Sequence, residues 1–226
     1  MLTDRNKYLE ISKELNAQNV RLVAVSKTKP VEAIKELYDL GQRDFGENYV
    51  QELTEKQPLL PGDVRWHFIG HLQTNKVKYL APFVHLIHGV DSFKLLKEIN
   101  KQAQKANRVI GVLLQVHIAQ EETKFGLDEN ELKELLDTRR SEVEALQNIN
   151  VTGLMGMASF SDDEKVIRNE FRYLKNLFDA YAPVQSANIH LQTLSMGMSS
   201  DYKIAVEEGS TLVRIGSLLF GARKYV

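Results

Sequence analysis

The sequence contains no cysteine among its 226 residues. This absence excludes a disulfide framework, a thiolate metal site and a thiol nucleophile, and it is compatible with a reducing compartment. The sequence also lacks an excess of positive or negative charge, because the formal net charge is only −1. A protein without a basic field is not expected to bind nucleic acid or an anionic membrane surface.

Long apolar runs are missing as well. The N-terminal segment, residues 1–7, is polar and mixed in charge, unlike a secretory signal. No run elsewhere approaches the roughly 20 residues that a membrane-spanning helix needs. We therefore expect a cytoplasmic protein.

Short apolar runs alternate with amphipathic helical patterns along most of the chain. The helical patterns have recognisable ends, such as Asp128 followed by Glu131, which predicts a capping box. The apolar runs predict eight strands: Leu22–Ser26, Asp44–Glu47, Trp66–Gly70, Leu86–Val90, Val109–Ile118, Val151–Ala158, Thr193–Met196 and Leu212–Ile215.

The predicted strands are apolar almost throughout, which is typical of a parallel sheet covered by helices. A closed barrel and a doubly wound sheet both satisfy this pattern, and the count of eight strand–helix units favours the α/β (β/α)8 barrel. An extra N-terminal helix precedes the first strand, with Tyr8, Ile11 and Leu15 on one face. Neither a linker nor a shift in composition interrupts the chain, so we expect a single domain over residues 1–226.

Lys27 follows the first predicted strand and stands just before Pro30. An amine at the end of a buried strand loses part of its hydration, which favours the neutral form that attacks an aldehyde. Taken alone, Lys27 is also explained as a strand-end lysine whose ammonium reaches water. Its interpretation depends on what lies opposite it in the barrel.

The last two strand ends indicate a phosphate site. The segment Ser195–Ser200 leads into a predicted helix over Asp201–Glu208, and a turn at a helix N-terminus offers N–H groups to an anion. The segment Arg214–Ser217 ends the eighth strand, and Gly216 allows close approach to its backbone. Barrels often hold phosphate after strands seven and eight. Ordinary turns rich in glycine and serine remain the alternative explanation.

In a closed barrel the first strand neighbours the eighth, so Lys27 would face the phosphate site. An aldehyde that carries a phosphate, held between them, describes either pyridoxal 5′-phosphate or the substrate of a sugar-phosphate aldolase. Arg214 favours the first, because an inward guanidinium could hydrogen-bond the pyridine nitrogen. Since arginine stays charged, it would leave that nitrogen unprotonated and weaken the ring as an electron sink.

Five segments in order resemble the signatures of one family, the pyridoxal phosphate homeostasis proteins (the YggS/PROSC family), which are similar in fold to the N-terminal barrel of alanine racemase. The segments are Val25–Pro30, Phe45–Glu52, Trp66–Lys76, Leu194–Ser199 and Gly209–Gly216. The resemblance extends from about Val20 to Arg223.

The resemblance implies that Lys27 carries pyridoxal 5′-phosphate as a Schiff base. It also implies phosphate contacts from Ser199, Gly216 and Ser217 and a ring-nitrogen contact from Arg214. The remaining predicted cofactor-binding residues are Asn48 and His67, which would line the pocket, and Ser195.

The resemblance to a racemase barrel does not by itself imply racemase activity. Racemisation needs acid/base groups on both faces of the substrate, and the chain stops at Val226, before the additional domain that completes a racemase. Tyr8, Tyr49, Tyr173 and Tyr202 lie on predicted helices and are expected to pack. We therefore expect a monomer that buffers or delivers the cofactor, in transient contact with apoenzymes, rather than an enzyme. The alternative is a racemase or lyase of narrow substrate range that uses pyridoxal phosphate.

The six histidines invite a metal interpretation, and His67 and His71 have the spacing of one helix face. The segment that contains His67 is predicted to be a strand, however, and no glutamate lies between the two histidines in a metalloprotease pattern. We expect no metal site.

Overall fold

The structure, a computed structural model, describes residues 2–121 and 125–221. Within these residues eight parallel strands form a closed barrel in chain order, and the eighth strand pairs with the first. The strands are β1 (Arg21–Val25), β2 (Asp44–Glu47), β3 (Arg65–Phe68), β4 (Leu86–Val90), β5 (Ile110–Gln115), β6 (Ile149–Met155), β7 (Ile189–Ser195) and β8 (Leu212–Ile215).

Helices follow the strands and cover the outside of the barrel. The α-helices within the described residues are α1 (Arg5–Ala17), α2 (Val31–Asp39), α3 (Val50–Lys56), α4 (Val77–Leu80), α5 (Phe93–Lys105), α6 (Glu129–Lys133), α7 (Arg140–Glu144), α8 (Glu164–Tyr181), α9 (Tyr202–Glu207) and α10 (Ser217–Phe220). Short 3-10 turns at Gln57–Leu59 and Thr74–Lys76 and a π-helical turn at Glu134–Thr138 complete them.

The helix ends follow local chemistry. The side chain of Asp128 accepts the N–H of Glu131 and the Glu131 side chain accepts the N–H of Asp128, so the predicted capping box is confirmed at the start of α6. Ser92 caps α5 by accepting the N–H of Leu95. The helices then bury one apolar face each against the strands, as an amphipathic pattern requires.

The closed parallel barrel confirms the predicted fold class, and the predicted bounds of β2, β4 and β8 match the structure. The prediction for β7 was wrong by four residues, since the strand begins at Ile189 rather than Thr193. Ile189 and Leu191 are buried while the intervening His190 is only half-buried, so this part of the strand alternates instead of forming a continuous apolar run.

Close approach of two strands requires glycine at one position in the barrel wall. A Cβ atom on Gly153 of β6 would lie 1.7 Å from the main-chain oxygen of Thr193 on β7. Inside the barrel an apolar cluster fills the space, formed by Val23, Leu86, Leu113, Met155 and Leu212. The barrel is therefore a packed core, and any site must lie at its ends.

Within the described part of the chain, no helix has the length and apolar character needed to cross a membrane.

Candidate binding site at the C-terminal end of the barrel

A cavity of about 500 Å³ opens at the C-terminal end of the barrel, where β1, β7 and β8 finish. Six of the eight residues predicted from the sequence line it: Lys27, Asn48, Ser199, Arg214, Gly216 and Ser217. The structure thus brings together a primary amine, a guanidinium, an amide and two hydroxyl groups around one volume. A cavity of this size suits a small ligand.

Lys27 lies two residues after the end of β1, in a turn rather than on the strand itself, and its side chain is half-buried. The turn is tightly held on both sides of Lys27. Before it, the carbonyl oxygen of Ser26 accepts a hydrogen bond from Lys56 Nζ at 2.8 Å. After it, the N–H of Thr28 donates to Glu52 Oε1 at 2.6 Å, and Thr28 adopts a positive φ of 63°.

A buried ion pair lies directly beneath this turn. Lys56 Nζ contacts Glu47 Oε1 at 2.8 Å, and Ser26 Oγ donates to the same carboxylate oxygen at 2.7 Å. Burial raises the pKa of Glu47 to about 7, although the neighbouring Lys56 ammonium opposes that rise. The second oxygen, Oε2, is buried without a hydrogen-bond partner.

Arg214 on β8 forms the floor of the cavity and is only 3% exposed. Its Nη1 donates to the carbonyl oxygen of Ser195 at 2.9 Å and to Ser195 Oγ at 2.6 Å. Its Nη2 donates to the carbonyl oxygen of Gly156 at 3.0 Å. Burial lowers the pKa of Arg214 to about 10, which leaves the guanidinium charged at neutral pH.

The turn between β8 and α10 forms part of the cavity wall. The N–H of Gly216 donates to Ser199 Oγ at 3.2 Å, which joins the two predicted phosphate segments. A Cβ atom on Gly216 would lie 3.2 Å from the carbonyl oxygen of Val25, so the backbones of β1 and β8 nearly touch here. The first N–H groups of α10, those of Ser217 and Leu218, have no acceptor within their own helix.

The turn before α9 contributes less than the sequence predicts. Asp201 Oδ1 accepts the N–H of Met198 at 2.6 Å, so a carboxylate of the chain already satisfies that donor. A carboxylate in this turn also repels an anion. The predicted phosphate contact therefore concentrates on Ser199 and on the β8–α10 turn.

Two predicted residues do not line the cavity. His67 is fully buried inside the barrel, because inward side chains on β3 recur every second residue and it is Ile69 that reaches the cavity. Ser195 is also fully buried, and it contacts Arg214 from below. The expectation that His67 lines the pocket is therefore corrected, and Ser195 acts on the cavity only through Arg214.

The sequence analysis did not predict several residues that line the cavity. Met157 and Met198 line the cavity, while Met155 and Met196 are buried. Phe160 lies at the cavity and is 95% exposed. A bulky aromatic residue in the polar segment that contains Ser159, Ser161 and Asp162 was the available signal.

Lys29 closes the cavity wall at the junction of the first and last strands. Its Nζ donates to the carbonyl oxygens of Phe220 and Gly221 at 2.8 and 3.1 Å. It thereby ties the turn that carries Lys27 to the end of α10.

Within residues 2–121 and 125–221, no tyrosine lines the cavity. Tyr8, Tyr173 and Tyr202 lie on helices and hydrogen-bond to Gln42, Glu129 and Glu14 respectively. Tyr49 was expected on a helix, but it precedes α3 and is exposed.

Comparison with known proteins agrees with this geometry. The family model described as "Alanine racemase, N-terminal domain" matches residues 5–224. The chain is 46% identical to the pyridoxal phosphate homeostasis protein of Aquifex aeolicus, over 91% of this chain and 88% of that protein. It belongs to the family of the pyridoxal phosphate homeostasis proteins. The family predicted from five sequence segments is confirmed.

Other members of the family show the same extent of similarity. The pyridoxal phosphate homeostasis protein of Escherichia coli K12 is 38% identical over 92% of this chain and 88% of its own length. The structure of PipY from Synechococcus elongatus PCC7942 with PLP bound superposes with a TM-score of 0.82 at 35% identity. That alignment covers 94% of this chain and 99% of PipY.

Proposed function

We propose that this protein binds pyridoxal 5′-phosphate as part of cofactor homeostasis, holding it on Lys27 as a Schiff base and buffering or delivering it. The observation that carries the proposal is the single cavity in which Lys27, Arg214 and the β8–α10 turn converge. The PLP bound in the related PipY supports the choice of ligand.

The residues around the cavity fit this ligand. Asn48 lines the cavity, and its Oδ1 atom is buried without a hydrogen-bond partner, so it can accept a bond from a ligand hydroxyl. Ser199 and Ser217 border the β8–α10 turn, where hydroxyl and N–H groups suit a phosphate. Lys27 supplies the amine from the neighbouring turn after β1.

The chemistry that pyridoxal 5′-phosphate supplies is an aldehyde that condenses reversibly with a primary amine. In that condensation the nitrogen of Lys27 bonds to the aldehyde carbon, and the carbonyl oxygen leaves as water. A second amine can displace Lys27 by the same reaction, so a lysine linkage permits both storage and release. Arg214 would donate a hydrogen bond to the ring nitrogen and, being charged, would leave it unprotonated.

We infer that holding the cofactor, rather than turnover, is the role of this site. A ring nitrogen that stays unprotonated is a weak electron sink, which disfavours carbanion chemistry. Racemisation also needs a second acid/base group facing Lys27 across the ligand. Robust turnover is therefore not expected. A test is loss of the α-deuteron from a panel of labelled amino acids; exchange faster than that of free cofactor with lysine would contradict a carrier role.

The test of the binding proposal is an absorption spectrum of the purified protein with pyridoxal 5′-phosphate. The wild type should show a visible band, and Lys27→Ala should lose it. Lys35→Arg is the control, because it changes an exposed lysine on α2 while keeping its charge. Reduction with borohydride followed by peptide mapping should place the label on Lys27, whereas a label on Lys29 would overturn the site.

We also propose that the protein acts as a monomer and meets apoenzymes transiently. Light scattering measures the oligomeric state, and a stable dimer would contradict the expected monomer. Transfer of cofactor from the loaded protein to an apoenzyme, faster than release into buffer, would support the second.

A further inference from the structure

A continuous chain of hydrogen bonds runs through the inside of the barrel from Arg214 to the opposite end. Arg214 Nη1 lies 2.6 Å from Ser195 Oγ, which lies 3.2 Å from His88 Nδ1. His88 Nε2 lies 2.9 Å from His67 Nδ1, and His67 Nε2 lies 2.9 Å from Asp44 Oδ1. All five side chains are buried. They come from β8, β7, β4, β3 and β2.

The two ends of the chain decide its direction. The guanidinium of Arg214 can only donate hydrogen bonds, and the ionised carboxylate of Asp44 can only accept them. Every link between them must therefore donate toward Asp44. Ser195 accepts from Arg214 and donates to His88, and the two histidines each carry their proton on Nε2.

This direction requires both histidines to be neutral. Burial lowers the pKa of His67, and it lowers that of His88 well below its ordinary value. Burial alone would raise the pKa of Asp44, but hydrogen bonds from Arg65 and His67 outweigh it and hold that pKa well below its ordinary value. The anionic end and the neutral histidines are therefore present together at neutral pH.

We propose that Asp44 is a positioning residue for Arg214, acting through His67, His88 and Ser195. Because Asp44 can only accept, moving the proton of either histidine to Nδ1 would leave two acceptors facing each other at one link. The chain therefore holds Nη1 against Ser195 and leaves for the cavity the N–H groups of Arg214 that donate to neither Ser195 nor Gly156. The effect on the cofactor rests on the function proposed above.

The charged groups around the far end do not disturb this arrangement. Arg65 donates to Asp44 from Nε at 2.8 Å and also pairs through Nη2. Burial lowers the pKa of His85 to about 4, so this histidine is neutral at neutral pH. Asp44, His67 and His85 place ligand atoms within 4.8 Å of one another, but both oxygens of Asp44 already accept hydrogen bonds.

The first experiment needs no cofactor. Nitrogen-15 NMR spectra of the imidazole groups should show His67 and His88 as neutral rings protonated on Nε2 at pH 7. A proton on Nδ1 of either ring, or a doubly protonated ring at that pH, would contradict the proposed chain of hydrogen bonds. The solvent-facing His190 provides an internal reference within the same spectra.

The second experiment compares two changes at the far end of the chain. Asp44→Asn removes the anion that orders the chain, whereas Arg65→Gln removes only its partially exposed partner. In the loaded protein, Asp44→Asn should lower the midpoint of the pH titration of the visible band by about half a unit or more. Arg65→Gln should leave it unchanged. Equal and opposite shifts would indicate a long-range field and would overturn the positioning role.

If Asp44→Asn does not fold, Ser195→Ala is the second variant. It removes the hydroxyl that links Arg214 to His88. It should shift the midpoint in the same direction, and an unchanged midpoint would contradict the inference. The proposed function and the proposed role of Asp44 are tested by different outcomes. A wild type that never develops the visible band overturns the proposed function, while the NMR spectra still decide whether the chain exists.

Discussion

Lys56 Nζ lies 2.8 Å from the main-chain carbonyl oxygen of Ser26, the residue immediately before Lys27. The same ammonium contacts Glu47 and Glu52, and Glu52 in turn accepts the N–H of Thr28. One buried cation therefore connects both flanks of the turn that carries Lys27. The position of Lys27 depends on this cluster more than on β1 itself.

Lys56→Met should destabilise the protein by about 3 kcal/mol, because it leaves Glu47 buried without its cation. Urea unfolding measures this loss. Lys35→Met is the control, since Lys35 is exposed on α2. Adding Glu47→Gln to Lys56→Met should recover more than half of the loss, and a double variant no more stable than the single one would contradict the pairing.

Glu47 should make stability depend on pH. Its pKa is raised from 4.5 to about 7 in the folded protein, so between these values the folded state binds a proton that the unfolded state releases. The contribution of Glu47 is therefore fully present below about pH 4.5 and is lost as the pH rises through 7, by at most about 3 kcal/mol. Unfolding free energies at pH 5 and pH 8 should differ less in Glu47→Gln than in the wild type. An equal difference would show that Glu47 titrates normally.

Gly153→Ala should destabilise the barrel wall by about 3 kcal/mol, because the new methyl group would overlap the carbonyl oxygen of Thr193 and push β6 from β7. Gly62→Ala is the matched control, since its Cβ would meet no atom within 4 Å. Thermal unfolding of both variants tests the claim. Similar melting temperatures would mean that the strands can separate at little cost.

The sequence predicted the barrel and six residues of the cavity because both depend on local patterns. Apolar runs reveal strands such as β4, and turn chemistry marks Ser199 and Gly216. The sequence could not show which strand-end side chains reach the cavity and which turn back into the barrel. His67 and Ser195 differ from Arg214 in depth along the barrel axis, and depth depends on strand stagger.

The chain of hydrogen bonds from Arg214 to Asp44 could not be predicted from the sequence for the same reason. Asp44 and Arg214 are far apart in sequence, and the one spacing pattern that involves His67 pairs it with His71, which is not part of this network. Their contacts arise only when the sheet closes and inward positions from five strands meet.

The contact of Lys29 with the end of α10 has a consequence for ligand choice. These two hydrogen bonds join the turn that carries Lys27 to the end of α10, so they restrain the distance between the two. This restraint sets the span that a ligand has to bridge. On the function proposed above, we expect ligands to be selected by the span between their aldehyde carbon and their phosphate, so that an aldehyde with a longer or shorter spacer reaches only one of the two ends.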